Sequence, residues 1–422
     1  MDDLFRTARA LGMEDVEFFH SRCSNLAFST TRSVFKSKEF SFDGGYGVRV
    51  VHKKRIGFGY FERKEDCGKA LKTALKLSRF SEKSGFSFPK KQSYGKVDVF
   101  DKRIRDISEK EGAELMKGLL SGIKKHALPT ECSLSFSTSF REISNSNGLY
   151  GSYKSTNFIC SACANYKGSS SYELTGGILL PKSLFSFGKN AGRNAFLMRG
   201  ARKLPTAKRT VIFDADGIGP FLSLLIPSFN GDWKRRGISF FCGKEGKQAA
   251  SPMLTISDDP YADALSKAPF DGEGISSSKK HLIRGGVFRG FLFDRKTAAL
   301  SGIEEEGNSD RESYSSPPVI CPSNMVVSRG SINDLEEECK NPILVHSFQG
   351  GHTSDPISGD FSISIDVGFE LRKGRRVPIR GNIISGNIFS MLQNISGMEK
   401  KQETRMSTIS PRIAFEDVLV VG

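Results

Sequence analysis

Val211-Ile-Phe-Asp-Ala-Asp-Gly-Ile-Gly-Pro-Phe-Leu-Ser-Leu-Leu-Ile-Pro-Ser-Phe-Asn-Gly-Asp-Trp-Lys-Arg-Arg-Gly-Ile-Ser-Phe-Phe241 reads as a short apolar strand, a two-turn helix, and a loop leading into another strand. Asp216 is the expected N-cap, and Pro220 is expected in the first turn, where a missing N–H costs nothing. Phe221, Leu222, Leu224, Leu225 and Ile226 make the helix apolar almost all round, which predicts burial. Pro227 is expected to end it, because proline cannot donate to a helix and disfavours a helical residue before it.

Upstream, Asp2–Leu11 carries Leu4, Phe5, Ala8 and Leu11 at helical spacing. Strands are expected at Leu26–Ser29, Lys38–Phe42, Gly47–Val51 and Ile56–Phe61, with turns at Asp43-Gly44-Gly45 and Lys53-Lys54-Arg55. Glu65–Phe80 has helical period, and Ser108-Glu-Lys-Glu111 is a capping box opening a helix that buries Ala113, Met116, Leu119, Leu120 and Ile123. Cys132–Thr138 alternates as a half-buried strand, Asn145-Ser-Asn-Gly148 is a turn, and Phe158–Tyr166 returns. A helix over about Leu184–Arg202 closes this half before a linker near Lys203–Lys208.

Downstream, strands are expected at Met253–Asp259, in a hairpin about Gly285-Gly286, and at Ile343–Phe348, Asp360–Leu371, Val377–Ile384 and Pro411–Val421. Ser331 is the expected cap of a short helix over Leu335–Cys339, Asn387–Ile395 is a second, and Gly307–Pro322 is loop. Strands and helices do not alternate as βαβ units, so the expected class is α+β. Two domains are expected: residues 1–205, mixed strand and helix, and residues 206–422, dominated by antiparallel strands.

The 422 residues are 38% hydrophobic and 26% charged, ordinary for a globular protein. An acidic N-terminus without a following apolar run, and no run long enough to span a bilayer, point to the cytoplasm and away from a membrane. The eight cysteines are scattered, and only Cys160 and Cys163 lie close; on a strand they would face opposite sides, so reduced, buried thiols are expected. A net charge of +15 raises a nucleic-acid surface, but the basic runs are short, fall at turns, and accompany no zinc finger, RNP strand or recognition helix.

The six histidines present no paired imidazoles on a helix, and no Gly-x-Ser-x-Gly elbow occurs. Asp271 and Glu273, with Gly274, form a close carboxylate pair suited to acid–base work or, more simply, a hydrogen-bonded turn. The chemistry alone marks no active site.

Taken together, the motifs resemble the TldD/PmbA family of peptidase-related proteins. The resemblance runs through Val211–Phe241, Asp258-Asp-Pro260, Pro269-Phe-Asp-Gly-Glu-Gly274, Leu282–Val287, Thr297-Ala298, Gly307–Tyr314, Gly359–Ser362, Pro378–Ile383, Gly386-Asn387 and Pro411–Gly422. It is weaker at Gly47–Val50, Ile56-Gly57 and Asn145–Gly148. Metal-binding members, the TldD side, carry His-Glu-x-x-x-His just before a Gly-Asp pair. Setting Gly231-Asp232 on that pair places Leu222, Ser223 and Pro227 at the ligand-motif positions, and none of the three can hold zinc. The chain is in this respect similar to the TldE (PmbA) side. Gly307–Tyr314 is instead similar to the metal-binding side, which leaves open a strict partner subunit and a divergent member acting alone.

What the resemblance implies is a cytoplasmic metalloprotease subunit without catalytic or metal residues of its own. It would pair with a metal-bearing TldD-like subunit, or with itself, to degrade or process unfolded peptides, zinc being expected only in the TldD-like partner. Extended peptides would be held by strand addition at a sheet edge near Gly350, Gly351, Gly359, Asp360, Gly386 and Asn387. The alternatives are a free-standing peptidase with an unrecognised site and a nucleic-acid-associated protein of the DNA gyrase modulator kind.

Overall fold

A computed structural model describes residues 1–304, 307–372 and 374–422. The first half folds helix α1 (Asp2–Ala10) onto strands β1 (Val16–Thr31), β2 (Val34–His52) and β3 (Arg55–Phe61), followed by α2 (Cys67–Ser78). Helices α3 (Lys102–Arg105) and α4 (Glu109–Ile123) lead to β4 (Leu128–Asn145), β5 (Tyr150–Tyr166), β6 (Ser169–Gly177) and α5 (Phe185–Leu197). The six strands form one antiparallel sheet in the order β3-β2-β1-β4-β5-β6.

The strands are longer than their apolar alternation suggests. Asp43-Gly44-Gly45 lies inside β2, not at a turn; the reversal sits at Arg32-Ser33, whose φ values are 49° and 69°. Gly44 and Gly45 are there for close approach: a Cβ on Gly45 would stand 2.6 Å from the Tyr314 ring, and one on Gly44 2.7 Å from Arg22 Cγ. The Ser108–Glu111 capping box forms as expected. Behind the sheet, α4 and α5 meet backbone to backbone. A Cβ on Gly188 would lie 2.1 Å from the Leu119 carbonyl oxygen, and one on Gly122 2.1 Å from that of Phe185. Cys160 is buried and Cys163 half-buried on opposite faces of β5.

The second half runs β7 (Ala207–Phe213), α6 (Ala215–Ser223), α7 (Gly231–Arg235), β8 (Ile256–Asp258), β9 (Lys280–Arg284), β10 (Val287–Phe288) and α8 (Arg295–Ser301). The short pair β11 (Ser309–Asp310) and β12 (Val319–Ile320) is followed by β13 (Met325–Val327), α9 (Leu335–Glu338), β14 (Ile343–Gln349) and β15 (Asp360–Arg372). Then come β16 (Arg375–Ile379), β17 (Ile383–Asn387), α10 (Ile388–Gln393), β18 (Ile395–Arg405) and β19 (Thr408–Val421). Because β7 pairs with both β14 and β19, the strands β7, β14, β15, β17 and β19 close into a ring. Most pairings are antiparallel; β14 with β7 and β13 with β19 are parallel. The architecture is α+β. No helix among the described residues is long and apolar enough to cross a membrane.

Several local expectations are corrected. The N-cap of α6 is Asp214, whose Oδ1 accepts from the backbone N–H of Asp216 and Gly217 at 3.0 and 3.1 Å. Pro220 therefore stands inside the helix, which ends at Ser223; Pro227 belongs to a separate 3-10 turn over Ile226–Phe229. Asn230 then caps α7, and no strand forms over Ile238–Phe241. Asp334, not Ser331, caps α9. Gly307–Pro322 contains the β11–β12 pair, and β18 was not expected at all.

Helix α6 is held from one side. Ile218, Phe221 and Leu222 are buried against the ring, with Phe221 stacked on Phe213 at 4.5 Å, whereas Pro220 and Ser223 are exposed. Burial of a side chain such as Leu222 contributes about 1.5–3 kcal/mol.

Candidate functional site

The C-terminal end of α6 and the turn after β14 enclose a groove of about 210 Å³. Ser223, Leu224 and Pro227 form one wall, and Gly351, His352, Ser354, Asp355 and Gly359 form much of the rest. Two of the three positions that the resemblance sets on the metal motif thus meet two of the glycine-turn candidates. Leu222 points away into the core, and the Ser223 hydroxyl donates to the Pro220 carbonyl oxygen at 2.6 Å. An aliphatic side chain, a hydroxyl engaged with backbone and a pyrrolidine ring are no donor set for zinc, so these residues do not fit the metal that the resemblance attaches to this motif.

The glycine turns divide into two kinds. Gly359-Asp360 and Gly386-Asn387 pair with each other across β15 and β17 (Asp360 opposite Asn387, Phe361 opposite Gly386), so their backbones face each other and not an open edge. Asn387 caps α10 through Phe389 N–H at 3.1 Å, while its amide donates to Asp360 at 2.8 Å. Gly359, at φ 82°, has no room for a Cβ, which would stand 2.4 Å from the Phe389 ring. Gly350, at φ 92°, turns β14 into the short helical turn Gly351–Thr353. Here strand pairing stops on one side of β14, with Gly217 of α6 packed against Val345 and His346. Strand β7 ends at Phe213, so beyond Val345 the strand β14 keeps only β15 as a strand partner, and Ser347–Gln349 runs on to the groove with one side unpaired by strand.

The Asp271–Gly274 turn does other work. Asp271 Oδ1 accepts from the N–H groups of Glu273 and Ile275, and Oδ2 from the backbone and hydroxyl of Ser309, the arrangement of a closed turn. Gly274, at φ 77°, accepts from the Tyr94 hydroxyl at 2.8 Å. Glu273 is buried: Oε1 accepts from Arg49 at 2.5 Å and Oε2 from Arg295 N–H at 2.7 Å. Arg49 also grips Glu17 through two bonds of 2.8 Å, and Glu17 accepts from Arg311 at 2.5 Å. This buried quartet joins β1 and β2 to loops of the second half. Both carboxylate oxygens of Glu273 are thus engaged. Asp271 lines a polar cavity of about 250 Å³ between β4, β5 and those loops; burial and the Glu273 charge push its carboxyl up to about 7 against its hydrogen bonds.

Helix α6 has a second cluster at its other end. His346 Nδ1 lies 2.7 Å from Asp214 Oδ2 and 3.9 Å from Asp216 Oδ2, while Nε2 lies 3.0 Å from both oxygens of Glu173. Desolvation lowers the imidazole's proton affinity, but Asp214 and Glu173 outweigh it and raise the His346 pKa well above its ordinary value. Sequence reasoning named His346 and Asp216 without joining them. Glu173, Asp214 and His346 are far apart along the chain; the parallel pairing of β7 with β14 sets Asp214 beside His346, and β6 of the other sheet brings Glu173 to them.

Residues 206–422 match the PmbA/TldA metallopeptidase C-terminal domain, and residues 16–78 match the PmbA/TldA metallopeptidase domain 1. The chain is 25% identical to a metalloprotease TldD homolog of Haemophilus influenzae over 88% of this chain and 82% of that one. It is 21% identical to the metalloprotease PmbA of Escherichia coli O157:H7 over 95% and 91%. The crystal structure of TldE from Thermococcus kodakarensis superposes with a TM-score of 0.90 at 22% identity, covering 100% of both chains. A Thermotoga maritima protein named for modulation of a DNA gyrase gives 0.90 at 22%, covering 100% and 99%. The matched domains span more than half of the sequence, and the chain belongs to the TldD/PmbA family.

Proposed function

We propose that this chain is a TldE-like subunit, without catalytic metal at the family's motif, that works with a metal-bearing TldD-like partner on unfolded peptides in the cytoplasm. The observation that carries the reading is the end of α6: Leu222 is core, and Ser223 and Pro227 shape a groove without offering a ligand to an ion. The groove adjoins the strand-free side of β14 at Ser347–Gln349, where an extended peptide could add main-chain hydrogen bonds. The chain would then contribute binding surface and orientation, and the partner the hydrolytic chemistry. A division into units at residues 1–205 and 206–422 belongs to the same proposal, as does pairing with a TldD-like subunit in preference to a second copy.

The test is peptide cleavage with purified proteins. The isolated chain is expected to leave an unstructured peptide intact, and cleavage is expected once a metal-bearing family partner is added. Chelator-sensitive cleavage by the isolated chain would overturn the proposal. So would a partner equally active with and without this chain.

A further inference from the structure

We infer that Asp214, Asp216 and His346 bind a first-row transition-metal dication at the N-terminal end of α6, at a place distinct from positions 222, 223 and 227. One ligand atom from each of the three lies within 4.8 Å of the others. An imidazole nitrogen with two carboxylate oxygens suits manganese, iron, cobalt or zinc better than magnesium or calcium, which prefer oxygen alone.

Each donor is braced from behind by a group outside the triad. Asp214 Oδ1 is tied to two backbone N–H groups, leaving Oδ2 turned to the imidazole. Asp216 Oδ1 accepts from Arg405 at 2.8 Å, leaving its Oδ2 on the same side. His346 Nε2 is held by Glu173, which is itself fixed by the Asn194 amide at 2.7 Å. A carboxylate on the far nitrogen is the usual support of a metal-binding histidine: it sets the tautomer and aims the other nitrogen at the ion. Here that other nitrogen, Nδ1, is the one facing Asp214 and Asp216.

Three carboxylates (Glu173, Asp214 and Asp216) surround the imidazole, while Arg405, held also by Glu403, lies on Asp216. On binding, the ion takes the place of any proton on Nδ1, and that proton leaves to solvent. A cavity of about 430 Å³ opens beside the three donors, with room for water to complete the coordination sphere. Because Glu173 comes from β6 and the ligands from the second half, an ion here would draw the two sheets together.

The experiment uses the full chain, stripped with chelator and titrated with Co²⁺ while visible absorption is recorded. About one equivalent is expected to bind, with d–d bands of a nitrogen–oxygen ligand set and without a thiolate charge-transfer band. Asp214→Asn keeps the helix cap, since asparagine caps as well as aspartate. It and His346→Gln are expected to weaken binding by at least about 10-fold, Glu173→Gln by about 10-fold, and Ser223→Ala not at all. No bound Co²⁺, a thiolate band, or binding that survives both ligand substitutions would overturn the site, and the wild-type titration alone decides the first two. The readout needs neither peptide nor partner, so it stands or falls separately from the peptidase proposal.

Discussion

Replacing Glu17 with alanine is expected to destabilise the protein by about 3–5 kcal/mol, the scale on which removing one member of a buried ion pair strands its partner. Glu17 is fully buried and serves two guanidinium groups, Arg49 and Arg311, whose side chains are also buried. Without it, Arg49 keeps Glu273 and Arg311 only the neutral Gly272 carbonyl, with the rings of Phe86, Phe88 and Phe19 beside them. Desolvation pushes the Glu17 carboxyl up, but the two arginines outweigh it and hold the value below the ordinary 4.5. A depressed carboxylate stabilises the fold above its unfolded pKa and stops doing so as pH falls through its folded value. The wild type should therefore lose this stabilisation only below about pH 4.5, and the alanine variant should lack it at neutral pH. Urea unfolding at pH 7 and at pH 4 measures both. A loss under about 1 kcal/mol at pH 7 would mean that the quartet is dispensable.

Gly188→Ala should destabilise the chain although alanine is the better helix former. Propensity favours the substitution by about 1 kcal/mol. Overpacking in a close-packed core costs about 1–3 kcal/mol, and here the obstacle is the Leu119 carbonyl oxygen, backbone that cannot rotate aside. The sign tells which effect wins. Gly118, on α4, is the control: its nearest neighbour would be 4.0 Å from an added Cβ, so Gly118→Ala should stabilise by about 1 kcal/mol. Thermal unfolding of the two variants should shift in opposite directions. A stabilised Gly188→Ala would show that the α4–α5 contact yields freely.

Local signals were legible where one element suffices to make them. The Ser108–Glu111 box, the apolar stripe of α4, the alternation at Cys132–Thr138 and the Gly285-Gly286 hairpin all rest on neighbours a few residues apart. The true lengths of β1 and β2 were not legible. Their outer parts are exposed and polar, and glycines that admit Tyr314 look like turn glycines when read alone. Strand β18, rich in Lys, Glu and Gln, lacks the two-residue alternation because only its first residues are buried. The cap of α6 was misplaced because Asp214 and Asp216 are equally good caps two residues apart.

The candidate groove was half legible. Ser223, Pro227, Gly351 and Gly359 were all singled out, and the structure brings them together. That Gly359-Asp360 and Gly386-Asn387 bond to each other depends on strand register, which a glycine turn does not encode. The buried quartet left no local trace: Glu17 and Arg311 are 294 residues apart.

The ring of strands in the second half has a consequence for biosynthesis. Strand β19 supplies the partner that β7, β13, β17 and β18 all await, and it emerges from the ribosome after every one of them. The six-stranded sheet, complete by residue 177, can collapse while translation continues. Strands β7, β13, β17 and β18 must instead wait with an open edge until β19 arrives, a state in which holdase chaperones would find their best-exposed targets.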